Sequence, residues 1–288
     1  MKKIIFIVSS CFVLLSCTKN NELEDEPKLI VKLVLNDNQE RLGNAGTPAS
    51  IPIGNAGQTP IFNGISAHYL ELAPNAYTQL GSGSILYHAA ETSQGGSIAI
   101  DFSKAIIKKS NDIFLEIPLK NISAGDYEWV RLSLSYQNYD VQFYYNNVPY
   151  TGTLASFVGY NSYIKSYLIK NQSVTVDSNK SQGYWGFESI SGVQTGQAPP
   201  GATTVPNPLF ATSPIPAGSC VVTGKFATKL TITNNETQDI ELLMNLSINK
   251  SFEWKDVNGN GRWDVDANSG EKVVDMGLRG LIPDWVKK

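Results

Sequence analysis

From Lys28 onward the chain alternates. Leu29, Val31, Leu33 and Leu35 fall on one side of a period of two, and Ile30, Lys32, Val34 and Asn36 on the other. That spacing predicts a β-strand with one face turned inward. Further β-branched or aromatic runs predict strands over 65–72, 98–102, 113–119, 127–136, 141–145, 162–169, 225–233 and 239–248. Gly, Asn, Pro and Ser separate them. Asn146-Asn147 between Tyr145 and Val148 reads as a hairpin turn. Residues 103–110 are the one stretch that predicts a short helix, and no long 3.6-residue period follows. The pattern predicts an all-β fold, an antiparallel β-sandwich with long loops over residues 28–288. Residues 43–57 read as a loop. Residues 192–218, with Pro199, Pro200, Pro206, Pro208, Pro214 and Pro216, read as a second and unusually long one. It is either a ligand-facing loop or a surface excursion.

The first residues follow a different pattern. Lys2 and Lys3 precede an apolar run from Ile4, and Leu14-Leu15-Ser16-Cys17 closes it. The run is shorter than the roughly 20 residues of a membrane-spanning helix. The layout is that of a secretory signal peptide over 1–16. The four closing residues resemble the processing site of bacterial lipoproteins. That resemblance implies cleavage before Cys17, acylation of its thiol, and an outer-membrane lipoprotein facing the periplasm or the cell surface. Residues 17–27 are polar and acidic and read as a flexible tether. Glu22, Glu24, Asp25 and Glu26 resemble the acidic export signal of surface-displayed lipoproteins, or are an ordinary solvated linker.

Composition narrows the function. Thirteen Tyr, 11 Phe and 5 Trp supply a substantial core. Loss of Lys2 and Lys3 moves the formal charge from −3 to about −5, which argues against nucleic acid as a partner. Cys11 leaves with the signal peptide and Cys17 is the lipid site. Cys220 then stands alone, without a disulfide, and reads as a small buried apolar residue.

The densest local chemistry is Asp256-Val-Asn258-Gly-Asn260-Gly261-Arg262-Trp263-Asp264. Side-chain oxygens at positions 1, 3, 5 and 9, with Gly at 6, suit a hard cation that takes six to eight oxygens. Arg262 would offer its carbonyl. The run resembles the Ca²⁺ loops of EF-hand and dockerin-like modules, with one departure: Ala267 stands where the twelfth-position acid belongs. Glu271 reads as the displaced acid and Asp266 as an alternative ligand. Ca²⁺ is therefore the expected ion, bound at the weak extracellular end of the range, about 10⁻⁴ to 10⁻³ M. It would pin down the C-terminal segment 252–288, with Trp254 and Trp263 as packing partners. The competing reading is an Asn-Gly turn without an ion.

His68 and His88 are the two histidines of the chain. As cross-strand neighbours they would form a second metal pair for copper or zinc; otherwise they are structural. Tyr184, Trp185 and Phe187, flanked by Gly183 and Gly186, read as loop aromatics that would stack on a sugar or a peptide. Phosphate-loop, dinucleotide, zinc-protease and serine-hydrolase motifs are absent. No catalytic residues are assigned. Glu116, Asp126, Glu128 and Glu188 are the carboxylates from which a glycosidase pair would have to come.

Ile117-Pro-Leu-Lys-Asn-Ile-Ser-Ala-Gly-Asp-Tyr127, the strand around His68-Tyr69-Leu70, Tyr87-His88 and Gly183-Tyr-Trp-Gly-Phe187 are similar to segments of MbnP-like domains. That resemblance implies a β fold, export, and a copper-handling role for His68 and His88. The expectation is a non-enzymatic, calcium-stabilised lipoprotein that binds a glycan, peptide or protein outside the cell. The alternatives are an MbnP-like copper protein and, further off, a glycan hydrolase.

Overall fold

The structure, a computed structural model, describes residues 26–43, 46–198 and 220–288. The signal peptide 1–16, Cys17, the tether up to residue 25, and residues 199–218 of the expected long loop lie outside the described residues.

Eighteen strands make up the described chain: β1 (Lys28–Asn36), β2 (Asn55–Gln58), β3 (Ile61–Ala73), β4 (Ser84–His88), β5 (Glu91–Thr92), β6 (Ala99–Asp101), β7 (Ile113–Pro118), β8 (Gly125–Tyr145), β9 (Val148–Phe157), β10 (Asn161–Leu168), β11 (Ser173–Ser181), β12 (Tyr184–Ser189), β13 (Gly192–Gln197), β14 (Cys220–Ile232), β15 (Ile240–Ser247), β16 (Phe252–Lys255), β17 (Val273–Asp275) and β18 (Leu281–Lys287). The fold is an all-β sandwich. Its central sheet runs β13-β12-β9-β8-β3-β4, with β14 also paired to β8.

Both faces of the central sheet are covered. The sheet β18-β15-β1-β7 packs on one face. There Leu29, Val31 and Leu33 meet Leu242, Met244 and Leu246 and the inner positions of β3, β8 and β14. Each such side chain contributes about 1.5–3 kcal/mol of burial. A second cluster continues from this core through Phe62, where Tyr139, Val141 and Leu154 meet Phe252 and Trp254 of the small sheet β17-β16-β2. The other face carries Tyr136, Ala155, Phe157 and Tyr184, covered by Ile164 and Tyr167 of the sheet β11-β10-β6-β5. Alternation produces this split: Leu154 points one way, Ala155 and Phe157 the opposite way.

Several sequence expectations change. Residues 127–136 and 141–145 are one continuous strand, the 21-residue β8. Its polar middle, Gln137 to Asp140, is buried in the sheet apart from Asp140, which is half-buried. The expected helix over 103–110 shrinks to a single 3₁₀ turn, Phe102–Lys104, capped by the Asp101 carboxylate. The loop over 43–57 ends in β2, and the loop over 192–218 begins as β13, paired to β12. Tyr184, Trp185 and Phe187 lie on β12 and not in a loop. The pairing is mostly antiparallel, but β1 runs parallel to β15 and β6 parallel to β10. The Asn146-Asn147 turn has φ of 50° and 61°, the left-handed pair of a tight hairpin.

One ion cluster ties the loops that carry Arg41 and Arg279 to strands β16 and β17. Glu253, almost fully buried, accepts from Arg279 Nη2 at 2.6 Å and from the Arg41 guanidinium. Arg279 also meets Asp275 at 2.6 Å. Removing the shared carboxylate leaves two poorly solvated cations opposed to each other. Glu253→Gln is expected to cost about 3 kcal/mol, read as a lower urea midpoint at unchanged slope.

Candidate functional site

The acidic loop docks on the β8–β9 hairpin. Tyr144 N donates to Trp263 O at 2.8 Å and Val265 N to Tyr144 O at 2.9 Å. Trp254, buried beneath, donates its indole N–H to Arg262 O at 2.9 Å. The carbonyl expected to face an ion thus already holds a donor. The Arg262 guanidinium lies 5.0 Å over the Tyr144 ring.

Within the loop, Asp256 accepts from the amides of Asn260 (3.1 Å) and Gly261 (3.0 Å). The side-chain amides of Asn258 and Asn260 both donate to Asp264 Oδ2 at 2.8 Å. Glu271 is brought in as the sequence suggested, and its Oε2 accepts from Asp264 N at 2.8 Å. Its Oε1 is buried without a partner. Burial, and the charges of Asp264 and Asp256, hold the Glu271 carboxyl above its usual range, against the hydrogen bond from Asp264 N. Asp266 turns away and accepts from Asn146 N at 3.0 Å. Among the described residues no Lys, Arg or His pairs with Asp256, Asp264 or Glu271, and these three acids do not close to within 4.8 Å of one another. The loop is an excess of negative charge spaced by two amides. A cation there requires both amides to turn their oxygens inward.

Beside the loop opens a cavity of about 660 Å³. Trp263 forms one wall, 4.9 Å from Phe252 and about 6 Å from Phe143 and Phe187 by ring centroids. Trp185 and Phe187 also line the cavity. Two glycines hold those rings: a Cβ at Gly152 would lie 2.1 Å from the Phe187 ring, and one at Gly196 2.5 Å from Trp185. Ser189, Ser191, Gln194, Gln197 and Lys272 supply polar groups. Tyr184 is absent from the lining, because alternation turns it to the other face, where it packs on Phe157 and Tyr167.

The histidines meet at a different place. In β3 the core-facing set is Ile65 and Ala67, then Leu70 and Leu72. The parity changes because His68 is an extra residue: Ala67 pairs with Leu134 and Tyr69 with Ser133. A bulge of this kind re-aims a side chain. The His68 ring lies 4.9 Å from that of His88 and 5.4 Å from that of Tyr160. Glu91, which the sequence reading missed, joins them. Its Oε1 is 3.2 Å from His68 Nε2, 3.5 Å from His88 Nε2 and 2.8 Å from the Tyr160 hydroxyl. The His88-Ala-Ala-Glu91 spacing was the available signal. Burial, then the His88 charge, lower the His68 pKa to about 4, against the Glu91 hydrogen bond, so its ring is neutral at pH 7.

The other candidates disperse. Asp126 is tied to Lys229 and Thr231, Glu116 faces Lys28, and Glu188 accepts the amides of Lys170, Asn171 and Gln172. Cys220 is half-buried and free, and desolvation pushes its thiol up to about 12.

The raised Glu271 pKa fixes the sign of one test. Its native value lies above the unfolded one, so the ionised carboxylate weakens the fold as pH rises through the unfolded value. In EGTA at pH 7.5, Glu271→Gln is expected to raise the thermal midpoint; a lower midpoint would contradict the strained-acid account. No family model, curated protein or solved structure matches this chain.

Proposed function

We propose that the protein is an exported lipoprotein that binds a glycan and catalyses no reaction. Cys17 carries the acyl anchor, and the β body stands off the outer membrane on the acidic tether, toward the periplasm or the cell surface. The aromatic cavity is the binding site and the acidic loop is its Ca²⁺-dependent wall.

One observation carries this reading: a cavity walled by Trp185, Phe187 and Trp263 and edged by amides, hydroxyls and Lys272. Sugar rings offer apolar C–H faces to such plates and hydroxyls to such edges. Its volume falls within the ordinary range of small-ligand sites. The loop that supplies Trp263 also holds the three unpaired carboxylates, so ion and ligand are mechanically linked. Copper binding of the MbnP type is the second reading, favoured by the ring contact between His68 and His88. The carboxylates weighed for glycan hydrolysis have other partners or stand apart, which argues against that activity.

Two measurements test the reading. Glycan-array binding followed by tryptophan fluorescence titration should find a saturable glycan, with Trp185→Ala weakening it by about tenfold. Absence of any bound glycan would remove the proposal. Ca²⁺ at about 10 mM should stabilise the fold by roughly 1.4–2.7 kcal/mol over EGTA, given a dissociation constant of about 10⁻⁴ to 10⁻³ M. Asp256→Asn combined with Asp264→Asn should abolish that difference.

A further inference from the structure

We infer that His68, His88 and Glu91 form a site for one divalent transition-metal ion of the zinc class, with one coordination position open to solvent. The inference is independent of the aromatic cavity.

The geometry suits the ion. Among the described residues this is the one group of three His, Cys, Asp or Glu whose ligand atoms all lie within 4.8 Å of one another. Zinc takes nitrogen and oxygen ligands at about 2.0–2.1 Å in a tetrahedron, which places ligand atoms about 3.3 Å apart. The two nitrogen-to-Glu91 distances are 3.2 and 3.5 Å. Two imidazoles and one carboxylate form a borderline N/O set, suited to Zn²⁺, Ni²⁺ or Cu²⁺. The soft sulfur that favours Cu⁺ is absent from the trio.

The surroundings are those of a built site. His68 is fully buried, and Nε2, aimed at Glu91, is the one ring nitrogen with a hydrogen-bond partner; Nδ1 has none. Tyr160 donates to Glu91 and fixes the carboxylate, the orienting role that partners of metal ligands play. No Lys or Arg neutralises Glu91 among the described residues. His88 and Glu91 keep side-chain exposures of 40% and 30%. An ion can therefore enter from that side, and three protein ligands leave a fourth position to water or to an exchanging partner. The backbone is specialised at the same place, since the β3 bulge is what turns His68 toward the pair.

The test uses the full chain in detergent, stripped of metal and held in millimolar Ca²⁺ so that the acidic loop does not compete. Isothermal titration with Zn²⁺ should give one equivalent, and Co²⁺ should give the strong visible bands of four-coordination. His88→Gln and Glu91→Gln sit at the exposed edge and should keep the wild-type circular dichroism. Each should weaken Zn²⁺ by at least about tenfold, while Asp256→Asn/Asp264→Asn leaves it unchanged. The proposal is overturned by absence of Zn²⁺ binding, by binding that survives His88→Gln and Glu91→Gln, by loss in the loop variant, or by binding of Cu⁺ alone.

Discussion

One strand organises the molecule. β8 is 21 residues long and has β3 along one edge. Its other edge is divided: residues 125–134 pair with β14 and residues 136–145 with β9. A strand shared this way must satisfy two sets of neighbours with one twist. The change of partner falls at Ser135, whose carbonyl accepts both Val158 N and Gly159 N. On the opposite edge β3 adjusts with paired irregularities, Ser66 opposite Tyr136, Ala67 opposite Leu134 and Tyr69 opposite Ser133. The bulge at His68 thus lies across β8 from the fork.

That constraint explains where the polar chemistry lies. Beyond the fork the central sheet buries an unusual row on its second face: His68, Tyr69, Glu71 and Arg131. Such groups are tolerated in a sheet interior only when partnered. Glu71 accepts from Gly81 N, Gly83 N and the Tyr69 hydroxyl, and faces Arg131. The loop after β3 is folded down to supply those amides, with Leu80 packed on Tyr69 and Val221. Satisfaction is incomplete in this row: Arg131 Nε and Nη1 and His68 Nδ1 have no partner, and Glu91 is the one side-chain hydrogen-bond partner of His68.

Much of the fold was legible because buried strands announce themselves by period. The runs at 29–35, 65–72, 113–119 and 239–248 became strands on that signal alone. What failed were strands whose core-facing residues are interspersed with small or polar ones, or that are exposed. β9 presents Gly152, Thr153 and Ser156, and β13 is mostly exposed. The break read between 136 and 141 was wrong because Gln137 and Asn138 are buried by partners far along the chain, Met276 O and Ile169 O. The aromatics of β12 were misread for the same reason: Gly183 and Gly186 suggested a loop, whereas Gly186 makes room for Tyr167. Of the candidate sites, the acidic loop was visible as a local motif. Glu91 was not, since its place depends on a two-residue strand paired to β6.

The two candidate ion sites differ in what an ion would relieve. In the acidic loop three carboxylates have no Lys, Arg or His paired to them among the described residues, and the Asn258 and Asn260 amides hold Asp264 in place. Relief there is a matter of net charge, which a hard, weakly bound ion supplies. At the histidine cluster the charge is a single carboxylate that shares a hydrogen bond with His68 and accepts one from the Tyr160 hydroxyl, with His88 Nε2 3.5 Å away. Relief there would be directional, because Nε2 of both imidazoles lies within 3.5 Å of the same carboxylate oxygen, a nitrogen and oxygen set that would suit a borderline ion. An ion at the first would stiffen the loop that carries Trp263. The second candidate site lies at the bulge that brings His68 beside Glu91, so the two would answer to different chemistry.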